Sequence, residues 1–355
     1  MGFPHPAHTK SEINRAGETL IDSSASPDER THALEVLSNW RACHGYPVNT
    51  FQKTLRDRLK KIGSSALVAQ RLKRLSTIED KLKRQEHMKL STMQDIGGLR
   101  AVVKTLEEVR KLESLYVSSG KQFQHELVTN RIKDYINSPK MDGYRSIHLV
   151  YKYKNRLHPQ YDGFSIELQI RTRLEHVWAT AVETMSIALK QALKTGGGEK
   201  KWRDFFALAS SVFAYIEKSP PVPQHSHMSE KQTYKALASI AKEIKAVETM
   251  GGINFALSRV DMSERRRNFY YHLIVLNFGK REVNIQSFPK IALSQANKAY
   301  TNAELEASQN GDTDAVLVSA GNFNILKRAY PNYFLDMREF VDTITNIIES
   351  SKSMY

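Results

Sequence analysis

The chain has 355 residues, 41% of them hydrophobic and 25% charged, which is ordinary for a globular protein and long enough for one large and one small domain. No apolar run approaches the roughly 20 residues that span a bilayer, and the lone Cys43 excludes an internal disulfide framework and any cysteine-based zinc finger. A formal net charge of +14 would draw polyanions such as nucleotides, RNA or anionic lipid, although a simply basic surface gives the same number.

The start, Met1-Gly2-Phe3-Pro4-His5-Pro6, has no basic region followed by an apolar stretch, and Gly2 lacks the Ser or Thr at position 6 that myristoylation favours. The expectation is a cytoplasmic protein with no membrane partner. Ser26-Pro27-Asp28-Glu29 then reads as an N-cap, a first-turn proline and acidic residues at the positive end of a helix. That helix carries Leu34, Val36, Leu37 and Trp40 and runs to about Gly45.

Pro47 is expected to interrupt it. Phe51, Leu55, Leu59 and Ile62 then recur at helical spacing among Lys53, Arg56, Arg58, Lys60 and Lys61, giving a strongly basic helix that Gly63 ends. The texture changes next to short segments rich in Val and Ile at 66–73, 98–105, 125–136, 146–153 and 164–171, which read as five strands. Helices intervene at 76–85, opened by a Ser76-x-x-Glu79 capping box, at 106–118 and at 172–193. A further amphipathic helix presents Trp202, Phe205, Phe206, Ala209, Val212, Phe213 and Ile216 on one side.

Lys218-Ser-Pro-Pro-Val-Pro223 breaks the pattern and is the expected domain boundary. A connecting helix from about Ser229 to Gly251-Gly252 follows, then a hairpin of 269–278 and 280–288 turning at Phe278-Gly279. A helix, a strand at 314–319 and a final helix near 336–350 complete a small mixed domain. The fold class expected is α/β or α+β: a mixed five-stranded sheet flanked by helices, with a second, smaller α+β domain.

Four segments combine acidic and basic groups as a structural core would not require. They are Arg71-Leu-Lys73 continuing through Thr77 to Lys81, Asp95-Ile-Gly-Gly-Leu-Arg100, the stretch from Asp134 through Pro139-Lys140-Met-Asp142-Gly143-Tyr144 to His148, and Glu167-Leu-Gln169-Ile-Arg171-Thr172. Alternation along a strand puts Glu167, Gln169 and Arg171 on one face. Asp95, just before another strand, could meet Glu167 across the sheet and share a hard divalent cation, which prefers carboxylate and phosphate oxygens. Phosphoryl-type transfer needs neutralised charge and an aligned attacking oxygen. Arg71, Lys73, Lys81, Lys133 and Lys140 could neutralise, Glu167 could accept the proton, and Tyr144 offers a ring on which a base could stack.

Each of these has a plainer alternative: Glu167 as half of a solvated pair, Tyr144 as a packed loop aromatic, the basic run from Lys53 to Arg84 as a solvated helix face. His148 and His176, with no cysteine partners, read as hydrogen-bonding histidines rather than metal ligands. Gly196-Gly-Gly-Glu-Lys200 is no P-loop, because the G-x-x-x-x-G-K-[ST] spacing is absent.

In order and spacing, the four segments resemble the RelA/SpoT alarmone synthetase signature over roughly residues 50–217: R-x-K with a downstream Lys, D-x-x-x-x-R, a Pro-Lys-x-x-Gly-Tyr loop, and E-x-Q-I-R-T. The resemblance implies a nucleotidyltransferase-like fold and ATP-dependent transfer of a diphosphate to a ribose 3′-hydroxyl. It implies ATP contacts from Arg71, Lys73, Thr77, Lys81, Arg100 and Lys133, Mg2+ on Asp95 and Glu167, and acceptor contacts from Lys140, Tyr144, His148, Gln169 and Arg171. Thr77 stands where Ser is commoner in the family, and Asp142 where Asn is usual. No His-Asp hydrolase motif precedes the domain, so alarmone breakdown is not expected.

The layout also resembles a toxic small alarmone synthetase fused to its own antitoxin, as in the CapRel family, with domains at 1–217 and 269–355 joined by a linker and connecting helix at 218–268. That resemblance implies autoinhibition by a Tyr-x-x-Tyr motif, here Tyr330 and Tyr333, and pyrophosphorylation of the terminal CCA adenosine of tRNA. It further implies release by a phage capsid protein in antiphage defence, and a monomer rather than an oligomer. Lys53, Arg56, Lys60 and Lys61 are the candidate tRNA grip. Two other readings stay open: a synthetase making pppGpp or ppGpp from GTP or GDP, and an inactive RNA-binding module.

Overall fold

The computed structural model describes residues 3–118, 123–189, 199–257, 269–277, 282–310, 313–319 and 337–353. The amino-terminal layer is three helices. α1 (Lys10–Ile21), which the sequence pattern did not suggest, opens with a capping box between Thr9 and Glu12. α2 (Pro27–Cys43) opens as expected on Ser26 and Glu29. α3 (Gly45–Lys61) begins before Pro47 rather than after it. Pro47 sits in the first turn, where a backbone N–H has no helical partner to lose, so the proline does not interrupt.

β1 (Leu67–Leu72), β2 (Gly97–Val103), β5 (Ile147–Lys152) and β6 (Ser165–Thr172) form the centre of a mixed sheet. β2 and β6 run parallel, with Gly98 opposite Glu167 and Arg100 opposite Gln169; β1 and β5 flank them antiparallel. The run at 125–136 is not one strand. It forms two short pieces, β3 (Glu126–Leu127) and β4 (Lys133–Asp134), split by a 3-10 turn at 129–131 and both paired with β5.

Alternation separates the two faces of this sheet. Leu99, Ala101, Leu168 and Ile170 are buried against a core that includes Leu37, Phe51, Leu55 and Leu112, drawn from α2, α3 and α5 (Leu106–Val117). Arg71, Arg100, Glu167, Gln169 and Arg171 therefore stand on the opposite face.

Among the described residues the sheet has nine strands: the expected central sheet, with β3 and β4 in place of one strand, is joined by the three strands read in the carboxy-terminal region. β7 (Tyr271–Asn277), β8 (Glu282–Phe288) and β9 (Thr313–Ser319) extend it beyond β1, in the order β3-β5-β6-β2-β1-β9-β7-β8. The join is β9 beside β1, with Val318 opposite Arg71. β7 and β8 pair antiparallel as the hairpin reading expects, and α10 (Leu293–Asn310) packs on β7 and β9 through Ala296 and Tyr300 against Leu273 and Leu317.

A second apolar core lies among α6 (Arg173–Ala188), α7 (Lys200–Ile216), α8 (Glu230–Glu243), α9 (Ala246–Leu257) and α11 (Arg338–Ser353). Phe340 of α11 meets Phe206 of α7 at 5.7 Å and Phe213 at 5.8 Å between ring centroids. Gly251-Gly252 does not end the connecting helix but lies inside α9. The break falls earlier, at Lys245, whose φ of 48° is left-handed. Among the described residues no helix is long and apolar enough to cross a membrane.

Candidate active site

The strand β1 delivers Arg71 and, one residue past its end, Lys73, whose amide donates to the Ile96 carbonyl at 2.8 Å. That bond sets the Lys73 side chain beside Asp95. The two Asp95 oxygens each accept from an ammonium group: Oδ2 from Lys73 Nζ at 2.7 Å and Oδ1 from Lys81 Nζ at 2.9 Å. Burial pushes the Asp95 carboxyl up, but the two lysines outweigh it and hold the pKa at about 2. Lys81 comes from α4 (Leu75–Arg84), which also carries Thr77. The Ser76-x-x-Glu79 box expected to open this helix does not form, because the helix starts one residue earlier, after Arg74. Glu79 instead accepts from Arg30 at 2.8 Å.

Across the parallel β2–β6 pair, Glu167 sits in a relay. Its Oε1 lies 2.9 Å from His148 Nδ1, its Oε2 accepts from Gln169 Nε2 at 2.8 Å, and His148 Nε2 is 2.8 Å from the Tyr144 hydroxyl. Burial pushes the Glu167 carboxyl up, yet His148 pulls it below its ordinary value, so Glu167 is held ionised. Arg171, next along the same face of β6, is buried and bonds His176. Burial and the positive charge of Arg100 press its guanidinium pKa down. Two neighbouring cations in a buried wall favour an anion in front of them.

The loop before β5 supplies the third side. Gly143 donates to the Lys140 carbonyl at 2.9 Å, and Asp142 Oδ1 accepts from the Tyr144 amide at 2.9 Å, closing an Asx turn. Asp142 thus does the backbone work an Asn could do equally well. Gly143 has φ of 95°, and a Cβ there would fall 2.9 Å from both Ser210 and the Trp178 ring. Lys140 reaches back over the rings of Tyr135 (4.5 Å) and Tyr144 (5.1 Å).

These pieces enclose a cavity of about 740 Å³. Arg71, Lys73, Thr77, Asp95 and Arg100 line one part of it, and Lys140, Tyr144, His148, Gln169 and Arg171 another. Glu167 lies behind this lining in the relay, and Lys81 reaches Asp95 from the side while lining a neighbouring cavity. Lys133 stands on β4 opposite His148 in register, exposed and outside the lining. Lys53, Arg56, Lys60 and Lys61 are exposed on α3, whose buried side packs on the sheet face away from the cavity. They do not join the site. Tyr330 and Tyr333 lie outside the described residues.

Sequence reasoning missed the far wall, formed by Trp178, Val182 and Glu183 of α6 and by Arg203, Phe206 and Ala207 of α7. On sequence these helices look like core-facing stripes, and nothing in the pattern says that the polar positions beside the stripe overhang a cleft. It also missed a buried group behind the loop: Arg145 lies 3.7 Å from Glu175 and 3.4 Å from Glu217. Thr172-x-x-Glu175, a reciprocal capping box readable in the sequence, was the available signal for Glu175. Burial drives the Glu175 carboxyl up to about 7 against the pull of Arg145.

Among the described residues no group of three or more His, Cys, Asp or Glu forms a metal cage. Mg2+ does not need one, since one or two carboxylates plus substrate phosphates hold it. Ionised Asp95, with Glu167 near enough to feel its charge, fits that donor set.

Residues 70–192 match the family model described as "Region found in RelA / SpoT proteins", which supports the family resemblance over that stretch. GTP pyrophosphokinase YjbM of Bacillus subtilis is 32% identical over 122 residues, 34% of this chain and 55% of that protein. GTP pyrophosphokinase of Escherichia coli is 25% identical over 193 residues, 54% of this chain and 24% of that protein. The chain thus spans about half or less of these relatives' own length. Among solved structures, small alarmone synthetase 2 of Bacillus subtilis is 21% identical with a TM-score of 0.43, covering 51% of this chain and 93% of that one.

Proposed function

We propose that the chain is an ATP-dependent diphosphotransferase acting on a ribose 3′-hydroxyl. The observation that carries this is the doubly bridged Lys73–Asp95–Lys81 group facing an ionised Glu167 across β2 and β6. The 3′-oxygen attacks the β-phosphorus of ATP, the bond from that phosphorus to the α-phosphate oxygen breaks, AMP leaves, and the 3′-proton passes to Glu167. Arg71 and Arg100 stand on the sheet face to hold the donor, Lys73, Lys81 and Thr77 meet its phosphates, and Tyr144 and Gln169 orient the acceptor. Asp95 and Glu167 would hold Mg2+, which when bound neutralises phosphate charge.

The acceptor in this reading is the 3′-terminal adenosine of tRNA, and the transfer would block translation. Two features support it: the net charge of +14, and a second open cavity of about 880 Å³ that adjoins Lys81 and carries Lys10, Arg131 and Lys152 where backbone phosphates could lie. The exposed row on α3 serves this reading less well, since it faces away. The carboxy-terminal region is read as an antitoxin-like brake through Tyr330 and Tyr333, released by a phage capsid protein. Its support is the resemblance in layout and motif.

A guanine nucleotide acceptor is the second reading, favoured by the activity in the relatives' names and by the Asx turn at Asp142, which an Asn would also form. The deciding experiment offers full-length protein γ-32P-ATP with tRNA, GDP or GTP in turn, with and without Mg2+ and capsid protein. Label on tRNA supports the first acceptor and label only on guanine nucleotides the second. No Mg2+-dependent label on any of them under any condition would sink the enzyme reading.

A further inference from the structure

Helix α4 carries Thr77 and Lys81, yet its own sequence gives it no cap, since Arg74 ahead of it supplies no side-chain acceptor. Its first amide, Leu75 N–H, donates instead to Glu304 Oε1 of α10 at 2.9 Å. The same carboxylate grips Arg41 of α2: Oε1 accepts from Nη2 at 3.2 Å and Oε2 from Nη1. The Arg41 and Glu304 side chains are only 6% and 7% exposed. Arg41 also lies over the Tyr300 ring at 4.7 Å, and one turn before Glu304 the Thr301 hydroxyl meets Ser38 at 3.0 Å.

A buried ion pair is often no more stabilising than a well-packed apolar pair of similar volume. Stability alone therefore does not account for a carboxylate aimed at the amino end of α4. What the carboxylate adds there is an acceptor for an orphan amide and a negative charge at the positive end of the helix dipole. A helix of ten residues is marginal by itself, so its position depends on such contacts. Two turns along, the same helix presents Lys81 to Asp95.

We propose that Glu304 is a positioning residue: it fixes the amino end of α4 and thereby sets Thr77 and Lys81 for the donor phosphates. This rests on the reading of α4 as the donor-phosphate helix. Through α10 the carboxy-terminal region supports the donor site, so a release of the brake that activates the enzyme leaves α10 seated against α2 and α4.

The test uses the full-length chain carrying Arg41→Leu with Glu304→Leu, which replaces the ion pair by apolar groups but leaves Leu75 uncapped. Thr301→Val is the control that loosens the same interface without touching α4. Binding of Mg2+-AMPCPP by calorimetry, hydrogen exchange of the α4 amides and thermal melting are measured together. The expected result is a near-normal melting temperature, AMPCPP binding weaker by about five- to tenfold, as a lost cap implies, and faster exchange in α4 but not in α11, with the control unchanged. Normal AMPCPP binding and normal α4 protection in the double variant would overturn the proposal. Should the double variant not fold, Arg41→Met with Glu304→Met takes its place, since unbranched side chains refill the site and still leave the Leu75 amide without an acceptor: weaker binding with faster α4 exchange supports the proposal, and normal values of both overturn it. Should the wild-type chain bind no AMPCPP either alone or with capsid protein, the donor-site reading fails, and α4 exchange decides the role of Glu304 alone.

Discussion

The Nδ1 atom of His148 stands 2.9 Å from Glu167 Oε1, while its Nε2 meets the Tyr144 hydroxyl at 2.8 Å. Burial works against a charged imidazole, but Tyr144 and Glu167 carry the His148 pKa up from 6.5 to about 9. A histidine whose pKa is raised on folding stabilises fully below about 6.5, and that stabilisation is lost as pH climbs through about 9. Melting temperature should fall across this window, and the fall should flatten in His148→Asn. Calorimetric scans at half-unit steps of pH check it.

Glu167→Gln keeps the shape and most hydrogen bonds of the relay but removes the group that takes the 3′-proton. Diphosphate transfer should fall by about 10²–10⁴-fold, with AMPCPP binding altered far less. A variant that retains more than a tenth of the wild-type rate would show that another group accepts the proton.

Asp95→Asn leaves the ammonium groups of Lys73 and Lys81 facing a neutral amide. Lys73, with only 10% of its side chain exposed, bears the larger cost, and the loss of stability should be ~1–3 kcal/mol. In the wild type the carboxylate's contribution is present above about 3.8 and lost as pH falls through about 2. Denaturant titrations at pH 7 and pH 3 should therefore show a smaller difference between variant and wild type at the lower pH.

Gly143→Ala must place a methyl group 2.9 Å from Ser210 and Trp178 at a φ of 95°. Left-handed strain and overpacking each cost ~1–3 kcal/mol. The loop carrying Lys140 and Tyr144 should shift, so KM for the acceptor should rise while AMPCPP affinity stays. Equal damage to both sites would argue for general unfolding instead.

Phe340→Ala empties a site in α11 that is 1% exposed and ringed by Phe205, Phe206 and Phe213. The expected loss is ~3–5 kcal/mol. The same contact predicts that a fragment ending at residue 217 exposes these rings and aggregates, which light scattering during refolding would reveal.

Much of the fold is legible because its signals are local. Ser26 with Glu29 opens α2, Ser229 with Gln232 opens α8, and the strand carrying Glu167, Gln169 and Arg171 alternates strictly. The readings that failed depend on partners distant in sequence. Ser76 and Glu79 have the form of a cap, but Glu304 takes the position from α10 and Arg30 takes Glu79. Gly251-Gly252 has the form of a terminator, yet packing of α9 beside α8 and α11 keeps the helix going. In the site, sequence order brings out residues on strands and the loop, whereas Glu183 and Arg203 become neighbours of the cleft only after α6 and α7 fold over it.

β1 has β2 on one side and β9 on the other, and the β9 contact falls at Arg71, a residue of the cleft itself. A strand with one flank open offers its amides and carbonyls to any extended segment that comes near. Here the chain's own late-synthesised strand meets that flank at one pair, Val318 opposite Arg71. During synthesis the β1 flank therefore stays open until residue 318 has been made, and the nascent chain is exposed to mispairing for most of its length before the sheet can close.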